Sequence, residues 1–528
     1  MRGSTAPAEG LASATPTLSR RRLLRTTAIG TAVAGSGLAA SLLQAGTAEA
    51  TLTGGPASFL PADPDLHLLR RATWGPAPTM LKRIHAMGAD AWLEEQLRPR
   101  SIDDSACGTM IATRFPILST GMTEAFTTLN GTWDLMQQLS LAAVTRATWS
   151  RRQLFEVMVD FWSNHLNVTN PSDNVWWSRH DYDRTVIRRF AMGKFSNMLT
   201  ASATHPAMMM YLNNAESTGD NPNENYGREL LELHTVGVEA GYTEDEMSAS
   251  ALALTGFGIS WDTGAFEYHP QDHYTGPVSV LGWSAANASA RGYGMGLAYL
   301  DYLAHHPCTA RHIATKLCER FVSDTPPPTL VRTLAQTYLA NDTAIVPVLR
   351  ALFHSRTFQL SLGQKVRRPM QDVVATLRIL GVRPDAGDAI DGIQELGWML
   401  DGLSDLPYAW PLPNGYPDQA SAWRSAGGTL ARWNTHLSLA AGWSDHLQFP
   451  DLRAALLPAA LPPTHGGLVQ ELAQRLVFRK LSATHRDAVL GFLGRATGDA
   501  LHSDDEAVGW RLPYLVALIL DSPYHGIR

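Results

Sequence analysis

The chain has 528 residues, of which 45% are hydrophobic and 17% charged, with a net charge of −6. That apolar share over such a length builds a large core and excludes a disordered chain, and a mildly acidic balance without a basic run excludes a nucleic-acid footprint. Cys107, Cys308 and Cys318 are the only cysteines. They are too few for a disulfide framework and read as free thiols.

Ser19-Arg20-Arg21-Arg22-Leu23-Leu24-Arg25 is a twin-arginine pattern. The uncharged stretch 26–47 comes next, rich in Ala, Gly, Thr and Ser, and Ala48-Glu49-Ala50 is a small-x-small cleavage site. Residues 1–50 therefore read as a twin-arginine signal peptide, and the protein as exported to the cell envelope or medium. That segment holds five arginines and two glutamates, which leaves the mature chain at −9. No later run is long and apolar enough to span a bilayer.

Residues 51–64 are Gly/Pro/Ala-rich and predicted to be extended. From 65 to 528 the chain reads as one large mainly α domain, in one or two lobes. Helices are predicted over 67–74, 78–87 and 90–97, with no period over 101–120, and then over 123–145. The helix over 151–165 carries Leu154, Met158, Phe161 and His165 on one face and Glu156, Asp160 and Asn164 in a polar stripe. Asn170-Pro171 breaks it. Helices over 182–199 and 205–213 come after the break. Asn221, Pro222 and Glu224 have the spacing of an N-cap, first helical position and capping box. Thr243 and Glu246 open a further helix to 254 in the same way. The one β element is predicted as an irregular hairpin over 264–283, where Gly, aromatic and β-branched residues alternate. Helices return over 308–321, 330–340, 345–352, 369–380 and 468–520. A rigid loop, 410–417, lies between them.

Chemistry concentrates in Asn221–238. On a helical wheel Tyr226, Leu230 and Leu233 share one arc, while Glu224, Asn225, Arg228, Glu229 and Glu232 share the other. Glu229 and Glu232 lie one turn apart, a spacing that suits a divalent metal or an acid/base pair. A solvated face laced by Glu224–Arg228 and Arg228–Glu232 pairs is the structural alternative. His234 points roughly 160° away from Glu232 and serves a different neighbour. His165, on an apolar face, is either a core imidazole or a catalytic one. His269, Asp272 and His273 gather on a loop, and His269 and Asp272 form, with His234, the candidate metal set. Arg311, in the first turns of a helix, could clamp an anion or pair with a Glu. Trp410 and Trp423 lie in loops, where aromatic rings stack on sugars or pack under the chain. Nucleotide loops and a GxSxG elbow are absent.

The motifs in order resemble a bacterial family catalogued as domain of unknown function 1800. They are Leu68-Leu-Arg-Arg-Ala-Thr-Trp-Gly75, Phe161-Trp-Ser-Asn-His165, His205-Pro-Ala-Met208, Asn223-Glu-Asn-Tyr-Gly-Arg-Glu-Leu-Leu-Glu-Leu-His-Thr235, Thr255-Gly256, His306-Pro-Cys-Thr-Ala-Arg311 and Pro413-Asn-Gly-Tyr-Pro417 with Trp423. The resemblance implies a mostly helical, often exported protein that commonly accompanies a sulfatase-like companion. Two motifs depart from the family pattern. His273-Tyr274-Thr-Gly276-Pro-Val278 stands for His-Asp-x-Gly-x-Lys, and Pro369-Met370-Gln371 for Pro-Leu-Glu.

Three functions are expected on these grounds. The first is an exported hydrolase acting on an extracellular or cell-surface polymer, a carbohydrate by preference. Glu229, Glu232, His165 and His273 would be catalytic, and Asn225, Arg228, Arg311, Trp410 and Trp423 would bind substrate. The second is a non-catalytic binding or assembly partner of the sulfatase-like protein. The third is a metal-dependent oxidoreductase.

Overall fold

A computed structural model describes residues 59–129 and 133–528. The expected signal peptide and most of the stretch expected to be extended lie outside the described residues. Helices dominate, with two small two-stranded sheets. Their apolar faces merge into one large core, beside which Phe115, Leu141, Ala142 and Ile393 form a small separate cluster. No helix among the described residues is long and apolar enough to cross a membrane.

Several elements arise directly from local chemistry. Asp63 caps the helix Pro64–Ala72 by accepting from the amides of Asp65 and Leu66, with Pro64 at its first position. Arg71 near its end is fully buried and donates to the carbonyls of Phe321 (3.0 Å) and Val322 (2.9 Å), the open C-terminal carbonyls of the helix Pro307–Phe321. A buried guanidinium thus joins the first helix to the middle of the chain. Thr243 and Glu246 form the expected capping box at the head of Glu244–Ala253.

Other elements differ from the periodicity. The stretch over 123–145 is two helices, Met122–Thr128 and Asp134–Trp149. The 182–199 segment divides into Arg179–Tyr182, a π-helix Asp183–Ile187, Arg188–Phe190 and, after Gly193, Phe195–Ala203. Gly193 lends its carbonyl to the amide of Ile345, so a tertiary bond replaces a helical one. Conversely, the aperiodic 101–120 region contains a helix, Ser105–Arg114. Its Arg114 donates to the carbonyls of Asp385 (2.7 Å) and Ala389 (3.1 Å), a stabilisation from outside the segment.

The single predicted hairpin is two. Phe257–Ile259 pairs antiparallel with Phe266–Tyr268, and Val278–Val280 with Trp283–Ala285. A 3-10 turn at Pro270–Asp272 separates them, because Pro270 cannot donate to a ladder. The second hairpin closes through Leu281 and Gly282, both at positive φ (49° and 86°), as a two-residue turn of this hand requires. Cys107, Cys308 and Cys318 are free thiols, the first and last of them buried.

Candidate functional site

The acidic helix begins later than the spacing predicted. Asn223, not Asn221, is the cap, accepting from the amide of Asn225 at 3.0 Å. Asn221 is held instead in a turn with Thr218. Glu224 does not reach back to the cap; it accepts from Ser248 Oγ at 2.6 Å. Gly227 lets the helix press on Glu244–Ala253, since a Cβ there would stand 2.7 Å from the Ala251 amide nitrogen. The α-helix ends at Glu229 and continues as a π-helix, Leu230–His234. This wider turn rotates the side chains beyond Glu229 relative to an ideal wheel. Leu231 and His234 are fully buried, while Leu233 of the predicted apolar arc is only half-buried.

The outer face keeps its carboxylates together. Arg228 lies 3.4 Å from Glu244, 3.7 Å from Glu232 and 3.9 Å from Glu224, and is itself 37% exposed. Glu229 is half-buried. Burial, and then the neighbouring Glu232, raise its carboxyl above the usual range, with Arg228 opposing. Tyr242 beside Glu232 is pushed up to about 12 by burial and by that carboxylate. Glu229 also acts on Tyr211, whose hydroxyl donates to the Pro411 carbonyl at 3.0 Å and meets Thr169 at 2.9 Å. The bond to Pro411 ties Tyr211 to the 408–417 loop. There Trp410, Tyr416 and Trp423 run ring to ring at 5.2 and 5.9 Å. Asn225 and Arg311 are exposed.

The histidines lie elsewhere. His165 is 2% exposed, and its Nε2 is bound to the His234 carbonyl at 3.0 Å. His312 Nε2 meets the Leu233 carbonyl at 3.2 Å, and the His165 and His312 rings are 5.8 Å apart. Burial, reinforced by neighbouring Lys316 and histidines, holds His165 well below its ordinary value. The same causes hold His234 at about 3 and His312 at about 4. These are neutral core imidazoles that pin the π-turn to two other motifs. His273 is also buried, with Nδ1 2.7 Å from the Thr255 carbonyl and Nε2 2.8 Å from Asn287 Oδ1. It fastens the hairpin region and does not face Glu229 through any contact. His269 lies 3.4 Å from Asp272 and 3.6 Å from Glu267. His234 does not join them. Among the described residues the groups able to hold a metal are Asp372–His436–His525, Asp63–Asp65–His85 and Asp385–Asp391–His446.

A buried ion chain escaped the sequence reasoning. Asp160 binds Arg368 at 2.7 Å and Arg320 at 3.0 Å, Arg320 binds Asp418 at 2.8 Å, and Arg368 approaches Asp405 at 3.3 Å. Trp74 and Tyr416 lie against the guanidinium groups at 5.6–5.9 Å. Asn164 Oδ1 accepts from the Tyr416 amide at 2.9 Å. Gly415 fits so closely that a Cβ would stand 2.2 Å from the Asn164 carbonyl oxygen. Burial pushes Asp405 up to about 7, whereas Asp418 is held well below the usual range by Arg320 and Lys365 against its own burial. The one advance signal was the Glu156–Asp160–Asn164 stripe on an otherwise apolar helix. Its partners come from remote segments with no common period.

Two cavities, of about 480 and 430 Å³, lie away from every predicted site residue. The larger is lined by Trp92, Trp149, Arg83, Arg151, Arg378 and Arg383, among others. The ion chain, the π-turn and the 415–418 loop thus bring together residues from Trp74, the 161–165 motif, the acidic helix, the 306–321 helix and the 413–417 motif. No curated protein and no solved structure matches the chain. Residues 67–526 match the family described as "Protein of unknown function (DUF1800)", and the protein belongs to that family.

Proposed function

We propose that the protein is an exported hydrolase whose acid and base are Glu229 and Glu232, acting on a polymer outside the cytoplasmic membrane. The observation that carries this reading is the pair of half-exposed carboxyls one turn apart whose surroundings differ. Glu229 is raised by burial and by Glu232, while Glu232 has Arg228 3.7 Å away. In this reading Glu229 is the acid that gives a proton to a leaving oxygen, and Glu232, beside Arg228, is the base that takes one from water. The Trp410–Tyr416–Trp423 run, next to the Pro411 carbonyl that Tyr211 bonds, supports a carbohydrate substrate, whose ring faces stack on aromatics. His165 acts as a positioning residue in this reading, through its bond to the His234 carbonyl at the end of the π-turn, and His273 serves the hairpin region instead.

The test is turnover of a polysaccharide panel by Glu229→Gln and Glu232→Gln. Each is expected to lose about 10²–10⁴-fold in rate at unchanged fold. Full activity in both variants overturns the assignment. A second reading rests on Arg228, which gathers three carboxylates as a structural network would. In that case the face docks a sulfatase-like companion, and Arg228→Ala would abolish the complex while no substrate is turned over by the wild type.

A further inference from the structure

Three segments far apart in sequence meet at Asp372, His436 and His525. Asp372 lies in the first turn of Pro369–Leu380, His436 on Ala426–Ala440 and His525 on Pro523–Gly526. All three are buried, at 2–3% exposure. His436 Nε2 is 3.3 Å from Asp372 Oδ2, and His525 Nε2 is 3.2 Å from Asp372 Oδ1. The ligand atoms of all three lie within 4.8 Å of one another. Yet neither His436 Nε2 nor Asp372 Oδ1 makes a hydrogen bond of proper alignment. Buried polar atoms that converge without bonding one another are unusual, because leaving them so is costly. Each imidazole nitrogen lies from its nearer Asp372 oxygen at a separation that two ligands of one ion, or an ion pair, would show. Bonds of 2.0–2.1 Å in a tetrahedral site put neighbouring donor atoms about 3.3 Å apart.

The surroundings fit the same chemistry. Asp521 Oδ1 lies 2.8 Å from His436 Nδ1, which fixes the tautomer and turns Nε2 toward Asp372. A carboxylate behind a ligating imidazole is the usual outer partner of a metal site. Thr376, one turn beyond Asp372, places Oγ1 3.1 Å from His525 Nε2 and offers a further oxygen. Two imidazoles and one carboxylate suit a borderline divalent transition ion, such as Zn²⁺, Co²⁺ or Fe²⁺, better than Mg²⁺ or Ca²⁺. Arg432 Nη1 stands 3.6 Å from Asp372 Oδ2, so an ion network without metal is the competing arrangement.

We propose that Asp372, His436 and His525 form a buried site for a divalent transition metal, with Asp521 as the residue that positions His436. The proposal is independent of the Glu229/Glu232 reading. Its test is titration of the chelator-treated full-length protein with Co²⁺ and Zn²⁺, read by elemental analysis after dialysis and by the visible spectrum of bound Co²⁺. One equivalent is expected, with ligand-field bands and no thiolate charge-transfer band. His436→Ala and His525→Ala should lose retained metal. If either fails to fold, Asp521→Asn, which removes no ligand, should weaken binding by about 10–100-fold. His85→Ala and His446→Ala, which alter the two more exposed clusters, should retain full binding. The proposal is overturned if the wild type retains no ion after dialysis, or if Asp521→Asn and the foldable ligand variants bind as tightly as the wild type.

Discussion

Replacing Gly415 by alanine separates a packing requirement from a backbone one. Gly415 sits at φ 67°, and a Cβ there would lie 2.2 Å from the Asn164 carbonyl oxygen and 2.7 Å from its carbonyl carbon. Against an ordinary contact of 3.4 Å the shortfall exceeds 1 Å. The obstruction is backbone at the end of Gln153–His165, so no rotamer change relieves it. Left-handed backbone costs a non-glycine residue about 1–2 kcal/mol. Overpacking adds about 1–3 kcal/mol. Withdrawal of the loop also loses the Tyr416 amide bond to Asn164, about 0.5–1.5 kcal/mol. Lower unfolded-state entropy returns about 0.4–1 kcal/mol. The net is a loss of roughly 2–6 kcal/mol. Gly387→Ala is the control: φ is 61° there and no atom lies within 4 Å, so only the backbone cost applies. Urea unfolding monitored by far-ultraviolet circular dichroism measures both. Equal destabilisation by the two variants would refute the claim that the 413–417 motif is held by its approach to Asn164.

Arg320→Met should destabilise by about 3–5 kcal/mol, because it leaves Asp160 and Asp418 short of a buried partner. The double variant with Asp160→Asn should recover part of that loss in the same unfolding experiment, and strict additivity would count against a coupled chain. Asp405 has a folded value near 7 against an ordinary 3.8, so the folded protein keeps a proton that the unfolded chain gives up. Its contribution to stability is present below about pH 4 and is lost as pH rises through 7. Asp405→Asn should flatten that part of the stability profile measured by calorimetry, and an unchanged slope would contradict the assignment. Thr243→Ala removes the hydroxyl that accepts from the Glu246 amide, while the backbone amide of residue 243 keeps its bond to the Glu246 carboxylate; it should cost about 1 kcal/mol in melting experiments, and an unchanged melting temperature would contradict the cap.

The sequence by itself determined what depends on neighbours in the chain. The helix periods over 78–87, 90–97 and 369–380, the Thr243 capping box and the loop at 410–417 all rest on interactions a few residues long, and all are present. The family was legible for a similar reason: its motifs are short and ordered. Glu229 ends the α-helix and Glu232 lies beyond it in the π-turn, yet both remain partly exposed. The wheel misplaced Leu233, since a π-turn is favoured here by Thr235, Gly237 and the core around His165. Tertiary structure alone decided the rest. It sealed His165, His234 and His273 in the interior, where desolvation keeps the first two neutral. It threaded Asp160, Arg320, Arg368, Asp405 and Asp418 into one buried chain of charges. It also brought Asp372 to His436 and His525, which follow it by 64 and 153 residues (436 − 372 and 525 − 372). A buried charge must find its partner wherever the fold supplies one, and no local pattern along the chain records that choice.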